Sequence, residues 1–424
     1  MTTLIEIFDR SPIENIVGTL AIHPDMVIFI GPNVRRMLRV MPTYEAILRG
    51  RGIQTELICR SAAKNDPEQT VEVLDALLDE HSDEEDETCI VDISGGDESL
   101  LLSIGLILVE HAGEKRELLA FRCEPRTRQA AFYRVGRNED GKFVIERDFR
   151  DYSDSSPEPL YLTVEEMVAL HGGSILAHGQ RLERGDPIGA DVDALWEISR
   201  RDCAYWNTAI GRLSAEISRH SAQKDVWAIA KSSFGAEKNK LDRAFFDELV
   251  GCGLIEVQSE EQDVILFTYK NKIVRECLTK AGSILEYYTY KTALELESDG
   301  KPVFDSAETG VVLDWDGAPN GTKNEVDVIL TRGLVPVFIS CKNGDIAMDE
   351  LYKVSTVTEQ FGGELARRVL LSTVYLDPES SGFAGQSAAK TMEERARDMR
   401  IRTLSGVHRM EAEELGAALH GLVK

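Results

Sequence analysis

Short apolar runs alternate with amphipathic stretches over the first 150 residues of the chain. The apolar runs are rich in β-branched residues, and the stretches between them repeat apolar residues at helical spacing, which predicts strands separated by helices. This alternation is typical of an α/β fold with a parallel, doubly wound sheet covered on both faces. We predict strands within 4–9, 25–32, 53–61, 88–96 and 116–125, a hairpin of 130–137 and 143–149, and helices within 13–23, 33–52, 67–81 and 99–113. The second helix is expected to restart at Pro42.

Polar and glycine-rich turns follow several of the predicted parallel strands. In a doubly wound sheet, the carboxyl ends of the strands form the crevice where ligands bind. The turn Ser94–Ser99 is the most informative, because two glycines allow a ligand close to the backbone and the next helix points free N–H groups into the crevice. It matches neither the dinucleotide fingerprint nor a P-loop. The candidate ligand positions are Asp9, Arg10, Ser11, Gly31, Pro32, Ser94, Gly95, Gly96, Asp97, Glu98 and Ser99.

A polar, proline-bearing segment from Asp151 to Pro159 leads into a largely helical middle region. Its first helix carries Thr163 with Glu166 three residues later, which predicts a capping box. Residues 238–271 combine helix, turn and β-hairpin in a pattern that resembles a winged helix. We interpret the middle region as a docking module, because its basic face is thin (Lys238, Lys240, Arg243) and its aromatic residues are expected in the core (Trp196, Tyr205, Trp206).

Two apolar β-runs within Asn324–Asp345 carry charged residues at their ends. Glu325 and Asp327 lie two residues apart and would share a strand face, to which a hairpin would add Ser340 and Lys342. Carboxylates hold hard divalent cations, and a lysine beside them offsets charge that develops on a phosphate. Charged strand ends are often only solvated, but the apolar neighbours favour burial beside a metal.

These residues resemble the core of PD-(D/E)xK, restriction-endonuclease-like nucleases. The acid expected two residues before the lysine is replaced by Ser340 in this chain. The resemblance implies Lys342 as the catalytic lysine and Asp327 as a ligand of Mg²⁺ or Mn²⁺. Either Glu286, on the predicted helix 282–295, or Glu325 would complete the metal shell and the catalytic set.

Other residues of this part of the chain are candidates for supporting roles. Glu308 is a reserve carboxylate, and the loop 317–324 would lie near the scissile phosphate. Cys341 is interpreted as a small core side chain rather than a nucleophile. A predicted strand covers 369–376. A predicted helix over 392–402 would carry four arginines: Arg395, Arg397, Arg400 and Arg402. These arginines are expected to face solvent, and they would contact the substrate backbone only if the helix borders the cleft.

The segment I-S-C-K-N-G resembles the effector domain of CARF (CRISPR-associated Rossmann-fold) nucleases, ancillary enzymes of type III CRISPR defence. The order of elements in the N-terminal part, with S-G-G-D-E-S after the fourth strand, resembles the CARF sensor. The resemblance implies a homodimer that encloses a cyclic oligoadenylate, expected to be cyclic tetra-adenylate. It also implies a Rossmann-like CARF domain at 1–155, a winged-helix-like α+β connector at 156–279 and a restriction-endonuclease-like α/β domain at 280–424.

The net charge of −25 opposes binding of a polyanion, since phosphate contacts usually dominate nucleic-acid affinity;. Part of the acid is local, notably His81–Glu87, an expected exposed loop, and a catalytic metal would invert the sign at the site. Seven cysteines without a CxxC pair argue against a disulfide framework or a zinc knuckle;. No run has membrane-spanning length and no signal peptide is evident, so a cytoplasmic protein is expected.

The hypothesis is a metal-dependent nuclease, activated by a cyclic oligoadenylate, that cleaves single-stranded RNA or DNA or nicks supercoiled DNA. One alternative is a non-catalytic, nucleotide-gated DNA-binding regulator whose nuclease-like domain is degenerate at Ser340. Another is a nucleotide-binding α/β enzyme whose chemistry lies at Ser94–Ser99. Dependence of cleavage on divalent metal separates the first hypothesis from both.

Overall fold

The computed structural model describes residues 1–63, 66–80, 88–112, 117–219, 225–315, 323–344, 346–374 and 383–424. The chain divides into two units, Met1–Gly173 with Gly333–Val335, and Ser174–Arg332 with Pro336–Lys424. The predicted acidic loop 81–87, most of the loop 317–324, Asp345 and the end of the predicted strand 369–376 lie outside the described residues. The predicted domain boundaries after residues 155 and 279 stay predictions.

The first unit is built on a seven-stranded sheet of order β3-β2-β1-β4-β5-β6-β7. Strands β1 to β5 are parallel and the β6–β7 hairpin is antiparallel, which confirms the predicted arrangement. Ile5 and Ile7 pack with α3 and α4 on one face, and Glu6 points to α1 on the other. The elements are β1 Thr2–Ile7, α1 Glu14–Ile22, β2 Met26–Gly31, α2 Val34–Gly50, β3 Glu56–Ser61, α3 Pro67–Glu80, β4 Thr88–Asp92, α4 Glu98–Glu110, β5 Glu117–Glu124, β6 Gln129–Arg137, β7 Phe143–Asp151 and α5 Val164–Leu170.

Two local predictions in this unit have different outcomes. The capping box of α5 is confirmed, since Thr163 Oγ1 accepts from the Glu166 N–H at 3.2 Å and the Glu166 carboxylate accepts from the Thr163 N–H at 2.8 Å. The expected restart at Pro42 is wrong, because α2 runs through this exposed proline. Buried Met37 and Tyr44 anchor the helix on both sides of Pro42.

The second unit contains a six-stranded sheet of order β19-β18-β17-β16-β15-β8 and a four-stranded sheet of order β11-β12-β10-β9. In the larger sheet β15 and β16 are antiparallel, and β18 and β19 continue parallel to β17. The elements are β8 Ser174–Ala177, α6 Gly189–Arg201, α7 Cys203–Glu216, β9 Ser218–Arg219, β10 Trp227–Ala230, α8 Arg243–Gly251, β11 Ile255–Glu260, β12 Val264–Tyr269, α9 Lys272–Cys277, α10 Ser283–Glu295, β13 Glu297–Ser298, β14 Lys301–Pro302, β15 Ser306–Asp314, β16 Lys323–Arg332, β17 Val335–Lys342, α11 Met348–Gly362, β18 Arg367–Ser372, α12 Phe383–Asp398, β19 Ile401–Leu404 and α13 Ala412–His420.

Helix α10 is central to this unit and is buried over most of its length. Trp196 of α6 stacks on Tyr288 of α10 with ring centroids 4.6 Å apart, and Trp206 is also buried. Both tryptophans are therefore core anchors, as predicted. The same prediction is wrong for Tyr205, which is 40% exposed and donates from its hydroxyl to Asp242.

The predicted helix and β-hairpin of the middle region are present as α8, β11 and β12. Two of the three residues of the predicted basic face are engaged within the chain. Arg243 forms ion pairs with Asp247 and Glu260, and Lys240 donates to the Ser232 carbonyl at 2.6 Å. These contacts reduce the positive charge that this face offers to DNA, and the docking role stays a prediction.

The predicted arginine-bearing helix begins and ends earlier in the chain than expected. Helix α12 ends at Asp398, because Arg400 adopts a left-handed backbone with φ 55° and turns the chain into β19. Arg402 lies on that strand and donates to the Gly421 carbonyl at 2.9 Å. Only Arg395 and Arg397 lie on the helix, so the predicted face of four arginines is wrong. Over the part of the chain that the structure describes, no helix has the length and apolarity needed to span a bilayer.

Candidate functional site

Asp327 lies on β16 and is fixed by the neighbouring strand β17. Its Oδ2 accepts from the Cys341 N–H at 2.6 Å and from the Ser340 hydroxyl at 3.2 Å. The side chain is 14% exposed, so its charge has little contact with solvent. Ser340, which replaces the acid of the family pattern, therefore orients Asp327 by a hydrogen bond. Cys341 itself is buried in the core, as predicted.

Lys342 ends β17 beside Asp327, as the strand pattern predicted. Its Nζ lies 3.9 Å from Asp327 Oδ2 and 3.0 Å from Glu350 Oε2 on α11. Burial by itself lowers the pKa of Lys342, but Asp327 and Glu350 outweigh it and the net pKa is raised. Lys342 is thus a fixed positive charge, and Glu350 is a partner that the sequence reasoning missed.

Glu286 and Glu325 approach the same place from α10 and β16. Glu286 is 8% exposed and Glu325 is 50% exposed. The ammonium of Lys280 lies between them, with Nζ 3.3 Å from Glu286 Oε1 and 3.2 Å from Glu325 Oε1. Glu286 is therefore the buried partner of Asp327, and Glu325 lies at the solvent side. Lys280 was also missed by the sequence reasoning.

The two buried carboxylates perturb each other. Burial and then the charge of Asp327 raise the pKa of Glu286 to about 7, against opposing contributions from Lys280. Burial also raises the pKa of Asp327, although Lys342 and the hydrogen bonds of Cys341 and Ser340 act against it. Carboxyl groups whose pKa is raised by burial next to a fixed charge are typical of functional sites. A bound cation would relieve this repulsion.

The donor set fits a hard cation held by few protein ligands. Among the residues that the structure describes, no three His, Cys, Asp or Glu side chains are grouped closely enough to hold a metal ion. Mg²⁺ is commonly held by one or two carboxylates and keeps several waters. A cavity of about 30 Å³ lies against Asp327, Ser340, Lys342 and Glu350, which is room for one or two waters but not for a nucleotide;. Asp327 and Glu286 are therefore the candidate protein ligands.

Glu308 is not available as a reserve carboxylate. It is buried on β15, where His178 Nδ1 lies 3.0 Å from Oε2 and Arg181 Nη2 lies 2.7 Å from Oε1. These partners neutralise it and join β15 to the segment after β8. The expectation that Glu308 serves the metal is therefore wrong.

A second candidate site is the cleft at the carboxyl ends of β1, β2 and β4 in the first unit. The cleft has a volume of about 350 Å³. Five of the predicted ligand positions line it: Asp9, Arg10, Pro32, Gly96 and Asp97. Four further residues line it that the sequence reasoning missed: Phe8, Asn33, Arg36 and Leu100.

The glycine turn and the end of β1 are tied together by Asp9. Its two oxygens accept from the N–H groups of Ser11 at 2.5 Å and Gly96 at 3.1 Å. Gly96 has φ +115°, and a Cβ there would lie 2.9 Å from Ile7 Cγ2. Asp97 caps α4 by accepting from the Ser99 N–H at 3.0 Å. Asp9 and Asp97 therefore shape the cleft through the backbone.

The other predicted positions do not line the cleft. Ser94 is structural, since its N–H donates to Asp92 at 2.6 Å and its hydroxyl accepts from the Cys123 N–H at 2.8 Å. Asp92 lies under the turn beside Glu6, and burial raises the pKa of Asp92 to about 7. The remaining predicted positions outside the lining are Ser11, Gly31, Gly95, Glu98 and Ser99.

Arg36 gives the cleft a positively charged group. It was not predicted, because only the residues directly after the strands were considered as ligand positions. It is exposed on the first turn of α2, with its guanidinium 5.9 Å from the centre of the Phe8 ring. Asn33 caps this helix by accepting from the Arg36 N–H at 3.0 Å. The signal that was overlooked is the Asn-Val-Arg-Arg sequence after β2, because a helix beginning there has its first turn in the crevice.

Comparison with known proteins shows likeness in fold. No family model matches the chain, and no curated protein matches it. Protein VC1899 from Vibrio cholerae aligns with a TM-score of 0.69 and 16% identity, over 99% of this chain and 97% of that chain. Can2 from Sulfobacillus thermosulfidooxidans, solved in complex with cyclic tetra-adenylate, aligns with a TM-score of 0.64 and 14% identity over the whole of both chains. The chain therefore shares the mixed α/β fold of these two proteins along its length.

The burial of Glu286 predicts a stability gain when its charge is removed. Because its folded pKa of about 7 lies above its ordinary value of 4.5, the native state carries an unfavourable charge above pH 7;. We expect Glu286→Gln to raise the free energy of unfolding at pH 8 by about 1–3 kcal/mol. The gain should decline as the pH falls through 7 towards the unfolded pKa.

Urea denaturation at pH 8 and pH 5, with chelator present, measures this difference. Glu359→Gln is the matched control, since Glu359 is strongly exposed on α11. A gain of the same size at both pH values, or a loss of stability at pH 8, would contradict the assignment of Glu286 as a strained buried charge.

Proposed function

We propose that the chain is a metal-dependent nuclease of type III CRISPR defence, activated by a cyclic oligoadenylate that we expect to be cyclic tetra-adenylate. The observation that carries this proposal is the convergence of Asp327, Glu286 and Lys342 from β16, α10 and β17. The PD-(D/E)xK resemblance and the fold shared with Can2 support it. The substrates would be single-stranded RNA or DNA, or supercoiled DNA that is nicked.

Asp327 and Glu286 would hold Mg²⁺ or Mn²⁺, with Glu325 at the solvent side. When bound, the metal supplies Lewis-acid polarisation of the phosphodiester and a more acidic water. Lys342 would orient the attacking water and offset negative charge on the phosphate, because its ammonium is held by Asp327 and Glu350;. Ser340 and the Cys341 N–H would keep Asp327 in place.

The first unit would act as the sensor of the activator. Arg10 and Arg36 offer guanidinium groups to phosphates, while Gly96 allows the ligand close to the backbone;. Asp97 and Asn33 are occupied as helix caps and define the walls of the cleft. The two guanidinium groups suit a ligand that carries phosphates.

A homodimer would place two such clefts side by side. Helix α4 begins at the glycine turn, and Leu102, Leu106 and Val109 form one exposed apolar face of it;. Leu102 is 57% exposed and Leu106 is 50% exposed. Exposed apolar helix faces of this kind mark protein contacts, and a second copy of the chain is the proposed partner.

Removal of either central residue should abolish cleavage. We expect Asp327→Ala and Lys342→Ala to lose roughly 100-fold or more of the activity, because each supplies charge at the transition state. The assay incubates labelled single strands and plasmid with activator and Mn²⁺ or Mg²⁺. Glu359→Ala is the control. Retained cleavage in both variants would rule out this site, and absent cleavage in an activator-binding wild type would favour the non-catalytic regulator.

Changes in the cleft should weaken activator binding. We expect Arg36→Ala to weaken binding of cyclic tetra-adenylate by roughly tenfold or more, since a charged hydrogen-bond donor is lost. Gly96→Ala should abolish it, because the left-handed backbone and the contact with Ile7 exclude a side chain;. Calorimetric titration measures both, with exposed Arg39→Ala as the control on the same helix. Unchanged affinity in both variants would place the sensor site elsewhere.

The apolar face of α4 should determine the oligomeric state. We expect Leu106→Glu to convert a dimer to monomers, because a charge cannot be buried there without a partner. Sedimentation velocity measures the change, and Leu176→Glu, at an exposed leucine of the second unit, is the control. A monomeric wild type, or a dimeric Leu106→Glu variant, would contradict this interface.

A further inference from the structure

Lys280 is a charged residue beside the proposed metal ligands, and the proposed function gives it no role. It lies between α9 and α10, outside both helices. Its ammonium contacts two acids at once, Glu286 Oε1 at 3.3 Å and Glu325 Oε1 at 3.2 Å. The charge of Lys280 also acts on Asp327. The positive charge of Lys280 therefore acts on all three acids that the proposed function assigns to the metal.

The contacts of Lys280 differ from those of Lys342. Lys342 is a half-buried residue at the end of a strand, with Asp327 on one side and Glu350 on the other. Lys280 is 56% exposed, and its partner Glu325 is also largely exposed. The pair of Lys280 with Glu325 is exposed on both sides, and exposed ion pairs are weak and are exchanged at little cost;. The long lysine side chain can therefore withdraw into solvent without disturbing the sheet.

The position of Lys280 matters because Glu286 cannot be charged and unpaired without cost. A buried carboxylate beside a second carboxylate requires a proton, an ammonium or a metal ion. A divalent ion held by Glu286 would carry two positive charges at a point that the Lys280 ammonium also occupies. The metal ion and the Lys280 ammonium repel each other at close range, so they compete for the same carboxylate oxygens.

We propose that Lys280 is a displaceable cation that pairs with Glu286 and Glu325 in the metal-free protein and leaves when a divalent cation binds. This inference rests on the proposed function, because it concerns the same carboxylates. Lys280 is a positioning residue: it keeps the acids together before metal entry and sets the affinity for the ion. Metal binding is then an exchange of one cation for another, in which the acids remain neutralised throughout.

The inference predicts tighter metal binding when the ammonium is removed. We expect Lys280→Met and Lys280→Gln to bind Mn²⁺ roughly three- to thirtyfold more tightly than the wild type, because the metal no longer has to displace the ammonium from the exposed Glu325 and the buried Glu286;. Lys280→Arg keeps the charge and should bind Mn²⁺ with wild-type affinity or more weakly. Lys272→Met, which removes an exposed lysine on α9, should leave the affinity unchanged.

Mn²⁺ titration followed by electron paramagnetic resonance of the free ion tests this on the full-length chain, with Asp327→Ala as the binding-deficient reference. Circular dichroism checks that each variant is folded. Tighter Mn²⁺ binding in both neutral variants, without an increase in affinity in Lys280→Arg, supports the inference. Equal or weaker binding in the neutral variants, while binding still depends on Asp327, overturns it and leaves the proposed function intact. If the wild type shows no Asp327-dependent binding, both the inference and the proposed metal site are wrong.

Discussion

The burial of two neighbouring carboxylates, Asp327 and Glu286, is the constraint on which the rest of the candidate metal site depends. Like charges removed from water repel strongly and must be compensated. The structure compensates Asp327 with the Cys341 N–H, the Ser340 hydroxyl and Lys342. Glu286 is paired with the exposed Lys280 and keeps a raised pKa. A sheet that fixes one acid and leaves the other undercompensated is suited to receive a cation.

Much of the fold follows from periodicity, whereas side-chain pairing over long sequence separations does not. The alternation of apolar runs was enough to predict the parallel sheet, and the pairing of the two charged β-runs as neighbouring strands was enough to bring Lys342 beside Asp327. Lys280 and Glu350 could not be predicted, because each comes from a different element whose position depends on tertiary packing. Glu308 is a further case: it was expected as a reserve carboxylate, but His178 and Arg181, from the segment that follows β8, pair with it.

The candidate sensor cleft could also be predicted only in part from the sequence. The strand-end rule placed the cleft and its glycine turn correctly, but several of the predicted positions hold the backbone rather than line the space. Ser94 accepts a main-chain N–H group and lies outside the lining, whereas Asp9 lines the cleft and also accepts main-chain N–H groups. The exposed donor Arg36 comes from the first turn of a helix. A sequence shows which residues follow a strand, but it does not show which of them use their hydrogen bonds on the fold itself.

The central claim is that Asp327 and Glu286 together bind a divalent cation. Anomalous scattering from a crystal grown with Mn²⁺ tests it directly. The account predicts a peak within coordination distance of a carboxylate oxygen of each residue, with the Lys280 ammonium moved away from Glu286. A crystal with Mn²⁺ bound elsewhere, or with both carboxylates unligated and Lys280 still in place at saturating Mn²⁺, would contradict it.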